Sequence, residues 1–200
     1  VFEKDVKEKE NFGALTSHRS AKAMKYAGCS CTIIGHIEER RGINEILSLA
    51  SVKDPVVTNT ILHQRMLAAQ AASLKIVYCI GESESEQDNW QNVLEKQLAI
   101  GLGAIDTSDI VIAYEPIWAI GPGKTPPEKG YIEKVAAFIK EKTNGLPVIY
   151  GGGLKKENAQ LISSCQNIDG GLIALTSFEG NIGFYPEEAK DIIALYGTGG

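Results

Sequence analysis

Five short apolar, β-branched runs limit what this chain can fold into: CTIIG (31–35), KIVYCIG (75–81), IVIAYEP (110–116), PVIYGG (147–152) and GLIAL (171–175). A strand with one wet face alternates apolar and polar residues. These runs are apolar on both faces, as parallel strands covered on each side by helices are. Helix-length segments separate them, so the order is βαβα, the pattern of an α/β protein with a parallel sheet. Apolar period and end signals predict helices over 20–26, 58–72, 89–102, 127–142, 155–163 and 186–196. The first runs into Gly28, suited to a left-handed stop, and Asn89 stands where it can cap the third. No linker or low-complexity segment divides residues 1–200, so one domain is expected.

Composition removes several classes. The formal charge of -5 leaves no basic footprint for nucleic acid. No apolar run approaches the roughly 20 residues that cross a bilayer, and the start VFEKDVKEKE is too charged for a secretory signal. A soluble, cytoplasmic protein with neither a nucleic-acid nor a membrane partner is the expectation. Cys29, Cys31, Cys79 and Cys165 lie mostly in apolar segments, and the CSC pair is tighter than zinc-site spacing, so all are read as small buried hydrophobes in a reducing compartment.

The strand ends carry the chemistry: Gly35-His36, Gly81-Glu82, Tyr114-Glu115, Tyr150-Gly151 and Ala174-Leu175. Parallel α/β proteins bind ligands at the carboxyl ends of their strands, which would put His36, Glu82 and Glu115 on one rim. Proton abstraction beside a carbonyl needs a carboxylate partly shielded from water and a neutral donor to polarise the oxygen; Glu115 and His36 are the right types. Either residue alone is more often a surface hydrogen-bonding group, and the pair beside a glycine-rich loop is what points to catalysis. That loop, AIGPGK, ends like a phosphate-binding P-loop but lacks the motif's first glycine, and the dinucleotide fingerprint fails both here and at GLGAID (101–106). A plain Pro-Gly turn is one reading; Trp118 at its base, between Pro116 and Pro126, suggests instead hinges around a small mobile tip. YGGGL (150–154) is a second glycine turn, whose backbone amides could hold a phosphate.

Taken together, these segments resemble the triosephosphate isomerase family. AYEPIWAIGPGKT is similar to the family's A-Y-E-P-x-W-A-I-G-T-G-K-T, TIIGHIEERR to I-I-G-H-S-E-R-R, VYCIGE to V-x-C-I-G-E, VIYGGG to I-x-Y-G-G-S and IDGGLIAL to I-D-G-x-L-V-G-G, in the family's order and over nearly the whole chain. The resemblance implies a TIM (β/α)8 barrel, with about five C-terminal βα units here, that interconverts D-glyceraldehyde 3-phosphate and dihydroxyacetone phosphate. It implies Glu115 as the base, His36 as the neutral electrophile and Glu38 as the acidic residue supporting the site. Residues 116–125 would be a lid. Gly121, Gly153, Ala174 and Leu175 would stand at the substrate phosphate. No metal or organic cofactor is implied, and a homodimer is.

The chain also departs from the family. The Asn-x-Lys of the first strand and the first three strands are missing, so a segment before Val1 is expected to be cut away or to lie outside this numbering. Residues 11–20 resemble the loop with which the family embraces its dimer partner. Gly153 replaces a serine, Ala174 and Leu175 replace a Gly-Gly pair, and Ile37 replaces a serine beside His36. About a dozen extra residues fall around 43–55, as a surface extension or a reshaped entrance. His18 and Glu39 stand where the family pairs Glu with Arg, which suggests a rearranged interface. Two alternatives follow: a paralogue for a related phosphate, such as a four-carbon ketose phosphate, and a catalytically silent metabolite-binding barrel.

Overall fold

The computed structural model describes residues 19–121, 123–177 and 181–198. Strands β1 (Cys31–Ile34), β2 (Lys75–Ile80), β3 (Ile110–Tyr114), β4 (Val148–Tyr150) and β5 (Gly170–Gly171) alternate with helices α1 (Ala21–Tyr26), α2 (Ile37–Leu49), α3 (Pro55–Ala71), α4 (Trp90–Gly101), α5 (Lys129–Lys142), α6 (Ala159–Ser163) and α7 (Pro186–Gly197). The sheet order is β1-β2-β3-β4-β5, and the pairings of β1 with β2, of β3 with β4 and of β4 with β5 are parallel. The α/β reading holds. The chain divides into two compact units, one built on the chain up to Tyr78 plus Lys96–Val111, the other on Cys79–Glu95 plus everything from Ile112 onward.

In the first unit β1 pairs with β2 from Cys31 opposite Lys75 to Ile34 opposite Tyr78. The helix ends obey local chemistry. Ser20 accepts from the Ala23 amide at the start of α1, and Gly28, at φ +94, turns the chain out of it. Asp54 caps α3 through the Val56 amide at 2.9 Å, with Pro55 as its first residue, so this helix begins three residues before the sequence expectation. Such a cap contributes about 1 kcal/mol. Burying side chains such as Leu62 and Met66, both fully covered, contributes about 1.5–3 kcal/mol each, so packing rather than capping holds α3 in place.

In the second unit β3 lies between the end of β2 and β4: the Glu115 amide donates to Ile80 O at 2.8 Å, and Ala113 faces Ile149. Ile132, Val135, Ala136 and Ile139 of α5 are completely buried, as the apolar stripe predicts, along with Ile112, Tyr114 and Val148.

Four expectations need correction. The fifth strand covers only Gly170–Gly171 rather than 171–175, because its partner β4 ends at Tyr150, opposite Gly171, and the last bonds on that side are those of Leu172 to Tyr150 O and from the Leu154 amide. The sequence reading assigned no helix between His36 and Thr58, yet Ile37–Leu49 form the continuous helix α2, with irregular chain only just before Asp54. Helix α6 starts at Ala159; ahead of it, the Asn158 side chain accepts from the Lys155 amide and donates to Gly153 O, closing a turn. Cys79 and Cys165 are buried as expected, but Cys29 and Cys31 are exposed.

Candidate active site

In the first unit the end of β1 is held by its own following helix. Gly35, at φ +85, takes a conformation that suits glycine. Its amide donates to Glu39 Oε2 at 2.5 Å, and its carbonyl accepts from Arg40 Nε at 2.8 Å. Arg40 is buried and extends its fork to Asn59 Oδ1 at 2.8 Å and to the Tyr78 hydroxyl at 3.3 Å; that hydroxyl donates to Gln97 O. Glu39 also pairs with Arg65. Both polar groups of the residue before His36 are therefore fixed by buried or half-buried partners.

His36 is the N-cap of α2, and its Nδ1 accepts from the Glu38 amide at 3.3 Å. The ring thereby serves as the acceptor that caps this helix terminus. Glu38 contributes its amide to that cap, while its side chain is exposed and pairs with Arg41 at 3.5 Å. The carboxylate that closes on the strand end is Glu39, which the sequence reading had reserved for a subunit interface; within this unit it is engaged by Gly35 and Arg65. His18, its supposed counterpart, lies outside the described residues.

In the second unit Glu115 directly follows β3 and is 2% exposed. Glycine surrounds it. A Cβ at Gly81 would sit 1.8 Å from the Glu115 carbonyl oxygen, and one at Gly151 would sit 2.7 Å from the Glu115 Cγ. The Gly151 amide donates to Tyr114 O at 2.7 Å, so the glycine turn after β4 lies directly against the carboxylate-bearing residue. At Gly153 the backbone is left-handed, φ +87. Ala174 and Leu175 follow β5 in irregular chain, both exposed, Leu175 at 41%.

After Glu115 the chain makes a 3-10 turn, Ile117–Ala119, which sets Trp118 Nε1 against Glu82 Oε1 at 2.8 Å. The same oxygen accepts from the Tyr114 hydroxyl at 2.9 Å and the Tyr131 hydroxyl at 3.1 Å. Glu82 is fully buried, and its Oε2 has no hydrogen-bond partner among the described residues. Desolvation raises the Glu82 carboxyl above its usual range, and the three donors pull back against that rise. Burial first, and the nearby Glu82 charge second, push the Tyr114 and Tyr131 phenols upward, so both remain donors. Trp118 packs edge-on against Tyr131 at 5.7 Å, and Tyr131 and Phe138 pack edge-on against Trp90, which anchors the start of the loop after Glu115 to α5 and α4. The far end is anchored as well: Pro127 is buried, whereas Gly123 to Pro126 are exposed. Gly121 (φ +119) and Gly123 (φ +74) are left-handed, and the Gly121 carbonyl accepts from the Lys124 amide. Sequence reasoning placed Glu82 on the rim; its three partners, spread over residues 114, 118 and 131, left no local signal.

A parallel α/β sheet with a buried carboxylate after one strand, glycine turns at the strand ends and a tethered loop is the arrangement of α/β proteins whose ligand sites lie at the carboxyl ends of their strands. The sequence model of the triosephosphate isomerase family matches residues 1–184, and the chain belongs to that family. It is 38% identical over 176 residues to a triosephosphate isomerase of Pelodictyon phaeoclathratiforme, an alignment covering 82% of this chain and 65% of that protein. Against the triosephosphate isomerase of Prosthecochloris aestuarii it is 35% identical over 198 residues, covering 93% and 70%. The crystal structure of triosephosphate isomerase from Bartonella henselae superposes with a TM-score of 0.67 at 29% identity, over 81% of this chain and 64% of that one. The chain thus spans about two thirds of the length of these relatives.

Proposed function

We propose that the protein interconverts D-glyceraldehyde 3-phosphate and dihydroxyacetone phosphate, the triose step shared by glycolysis and gluconeogenesis, as a cytoplasmic homodimer. The observation that carries this reading is Glu115: a carboxylate 2% exposed, at a strand end, pressed against a glycine turn. In this scheme Glu115 removes a proton from the carbon beside the carbonyl, the electron pair moves to the carbonyl oxygen to give an enediolate, and the proton returns to the neighbouring carbon. His36 donates its Nε2 hydrogen to those oxygens as a neutral acid, a division of labour for which triosephosphate isomerases are the usual example. Glu38 supports the electrophile by offering its amide to His36 Nδ1. The lid 116–125 excludes water, and amides around Gly121, Gly153, Ala174 and Leu175 hold the phosphate. Hydrogen bonds alone stabilise the enediolate, so the scheme calls on no metal or organic cofactor.

Leu175 favours a second reading. A half-exposed leucine where relatives of this kind carry glycine reshapes the phosphate grip, as a paralogue for a four-carbon ketose phosphate would need. Comparing kcat/KM of the full-length protein on three- and four-carbon phosphates separates the two. A triose preference is expected; a four-carbon preference above about tenfold sinks the first reading.

A further inference from the structure

The turn that ends α5 reads KTNGLP, and its Asn144-Gly145 is the one Asn-Gly pair in the sequence. Such a pair is chemically soft. The backbone nitrogen of the glycine can attack the asparagine side-chain carbonyl carbon, and no Cβ on the glycine hinders the approach. A bond forms from that nitrogen to Cγ, and the backbone N–H proton passes to water. The bond from Cγ to the side-chain nitrogen breaks, and that nitrogen leaves with a proton as ammonia. Water then opens the five-membered imide at either carbonyl, giving aspartate or isoaspartate.

Here the attacking nitrogen is engaged. Thr143 is the C-cap of α5, with its amide on Ile139 O at 3.0 Å and its Oγ1 on the same carbonyl at 2.7 Å. Asn144 then takes a left-handed conformation, φ +54, and Gly145 follows at φ +88. The Gly145 amide turns back to donate to Lys140 O at 2.8 Å, the long closure of a Schellman-type helix end. Both residues are exposed, so water reaches them freely. While the bond to Lys140 O holds, the nitrogen can neither shed its hydrogen nor swing toward the Asn144 side chain. Attack therefore waits for the last turn to open, and helix ends open with free energies far below that of global unfolding.

The consequence is one-way. Either product puts a carboxylate at the C-terminal end of the helix, where the dipole disfavours negative charge, and isoaspartate also lengthens the main chain by one methylene inside the closure. The basic residues of the last turn are already paired, Lys140 with Asp169 at 2.9 Å and Lys142 with Glu95 at 2.6 Å. A reacted chain thus caps α5 less well than an intact one. This helix supplies the Tyr131 donor to Glu82 and four residues to the core of the second unit.

We propose that Asn144-Gly145 is a deamidation site shut by the C-terminal cap of α5, so that its conversion records how often the end of this helix has opened. The inference is independent of the isomerase reading.

Peptide mapping by mass spectrometry of the full-length protein, held at mildly alkaline pH, tests it, with the aspartate and isoaspartate products at position 144 separated by chromatography. Conversion in the native state is expected to run at least about tenfold slower than in concentrated urea at the same pH. Thr143→Gly keeps the reacting pair but removes the Oγ1 bond and loosens the last turn. It is expected to speed native conversion about fivefold, the ratio that glycine's helix penalty implies, and to leave the rate in urea nearly unchanged. Equal rates in native and urea-unfolded protein overturn the gate, as does a Thr143→Gly protein that converts no faster than wild type; Asn144 left intact in urea overturns the site. If Thr143→Gly does not fold, wild type in sub-denaturing urea decides. Native conversion is then expected to rise together with hydrogen exchange at the Gly145 amide, and conversion that stays flat while exchange quickens overturns the proposal.

Discussion

Replacing Glu82 with leucine removes one oxygen that serves three donors. Leucine fills nearly the same volume, so the change isolates the polar cost. The Tyr114 hydroxyl is completely buried, and Glu82 is its acceptor; stranding it costs about 1–3 kcal/mol. Tyr131 and Trp118 are only half-buried and can turn to water, so each loses the net value of one hydrogen bond, about 0.5–1.5 kcal/mol. Against these stands the relief of no longer burying a carboxyl group whose Oε2 is unmatched. The net expectation is a loss of about 2–4 kcal/mol, which for a chain of 200 residues lowers the melting temperature by about 2–4 °C per kcal/mol. Circular dichroism during heating at neutral pH measures it. Adding Tyr114→Phe should recover stability, since the stranded donor is then gone. Acidity gives an independent check. The folded carboxyl titrates above its unfolded value, so between those two values the native state holds more protons, and this group makes the protein less stable as pH rises. Glu82→Leu should remove that falling slope. A variant as stable as wild type, with the slope unchanged, refutes the view that this acceptor organises the start of the loop after Glu115.

Three further outcomes are expected. Glu115→Asp withdraws the carboxylate by one methylene and should lower kcat about a hundredfold or more at nearly constant KM; steady-state kinetics with wild-type turnover would remove Glu115 as the base. Arg40→Lys cannot reproduce the fork to Gly35 O, Asn59 and Tyr78, and should cost about 2–4 kcal/mol in urea unfolding, whereas an unchanged midpoint would mean the buried fork is dispensable. Leu175→Gly restores room at the phosphate turn and should lower KM for a triose phosphate by on the order of tenfold; a rise in KM would mean that the leucine belongs to the grip on a larger substrate.

Which features could be read from sequence follows from how each is encoded. β2 to β4 were legible because burial leaves unbroken apolar runs, β1 because its run is apolar even though Cys31 and Ile33 are exposed, and α5 because its four core residues recur at the helical period. α2 blurred: Gly42 interrupts it, and Ile46 and Leu49 are 69% and 90% exposed, so its apolar residues trace no single stripe. β5 was overextended because GLIAL has strand composition, but strand length is set by the partner, and β4 ends at Tyr150, opposite Gly171. Glu115 and His36 stood out because a charged or basic group at the end of an apolar run is conspicuous. Glu39 and Arg40 were hidden in a polar run where every side chain looks solvated; only the fold shows that these two turn inward onto Gly35 while Glu38 and Arg41 turn out. Gly151 is harder still, since its contribution is an atom that is not there. A run of three glycines reads as flexibility, yet here one fits a carboxylate-bearing side chain, the next a phenol and the third a left-handed turn. The same letter does three different jobs, and the partner that defines each job, Glu115 or Tyr150, comes from elsewhere in the fold. That is why the glycine turn, read from sequence as a phosphate cradle alone, turns out to lie packed against Glu115 as well.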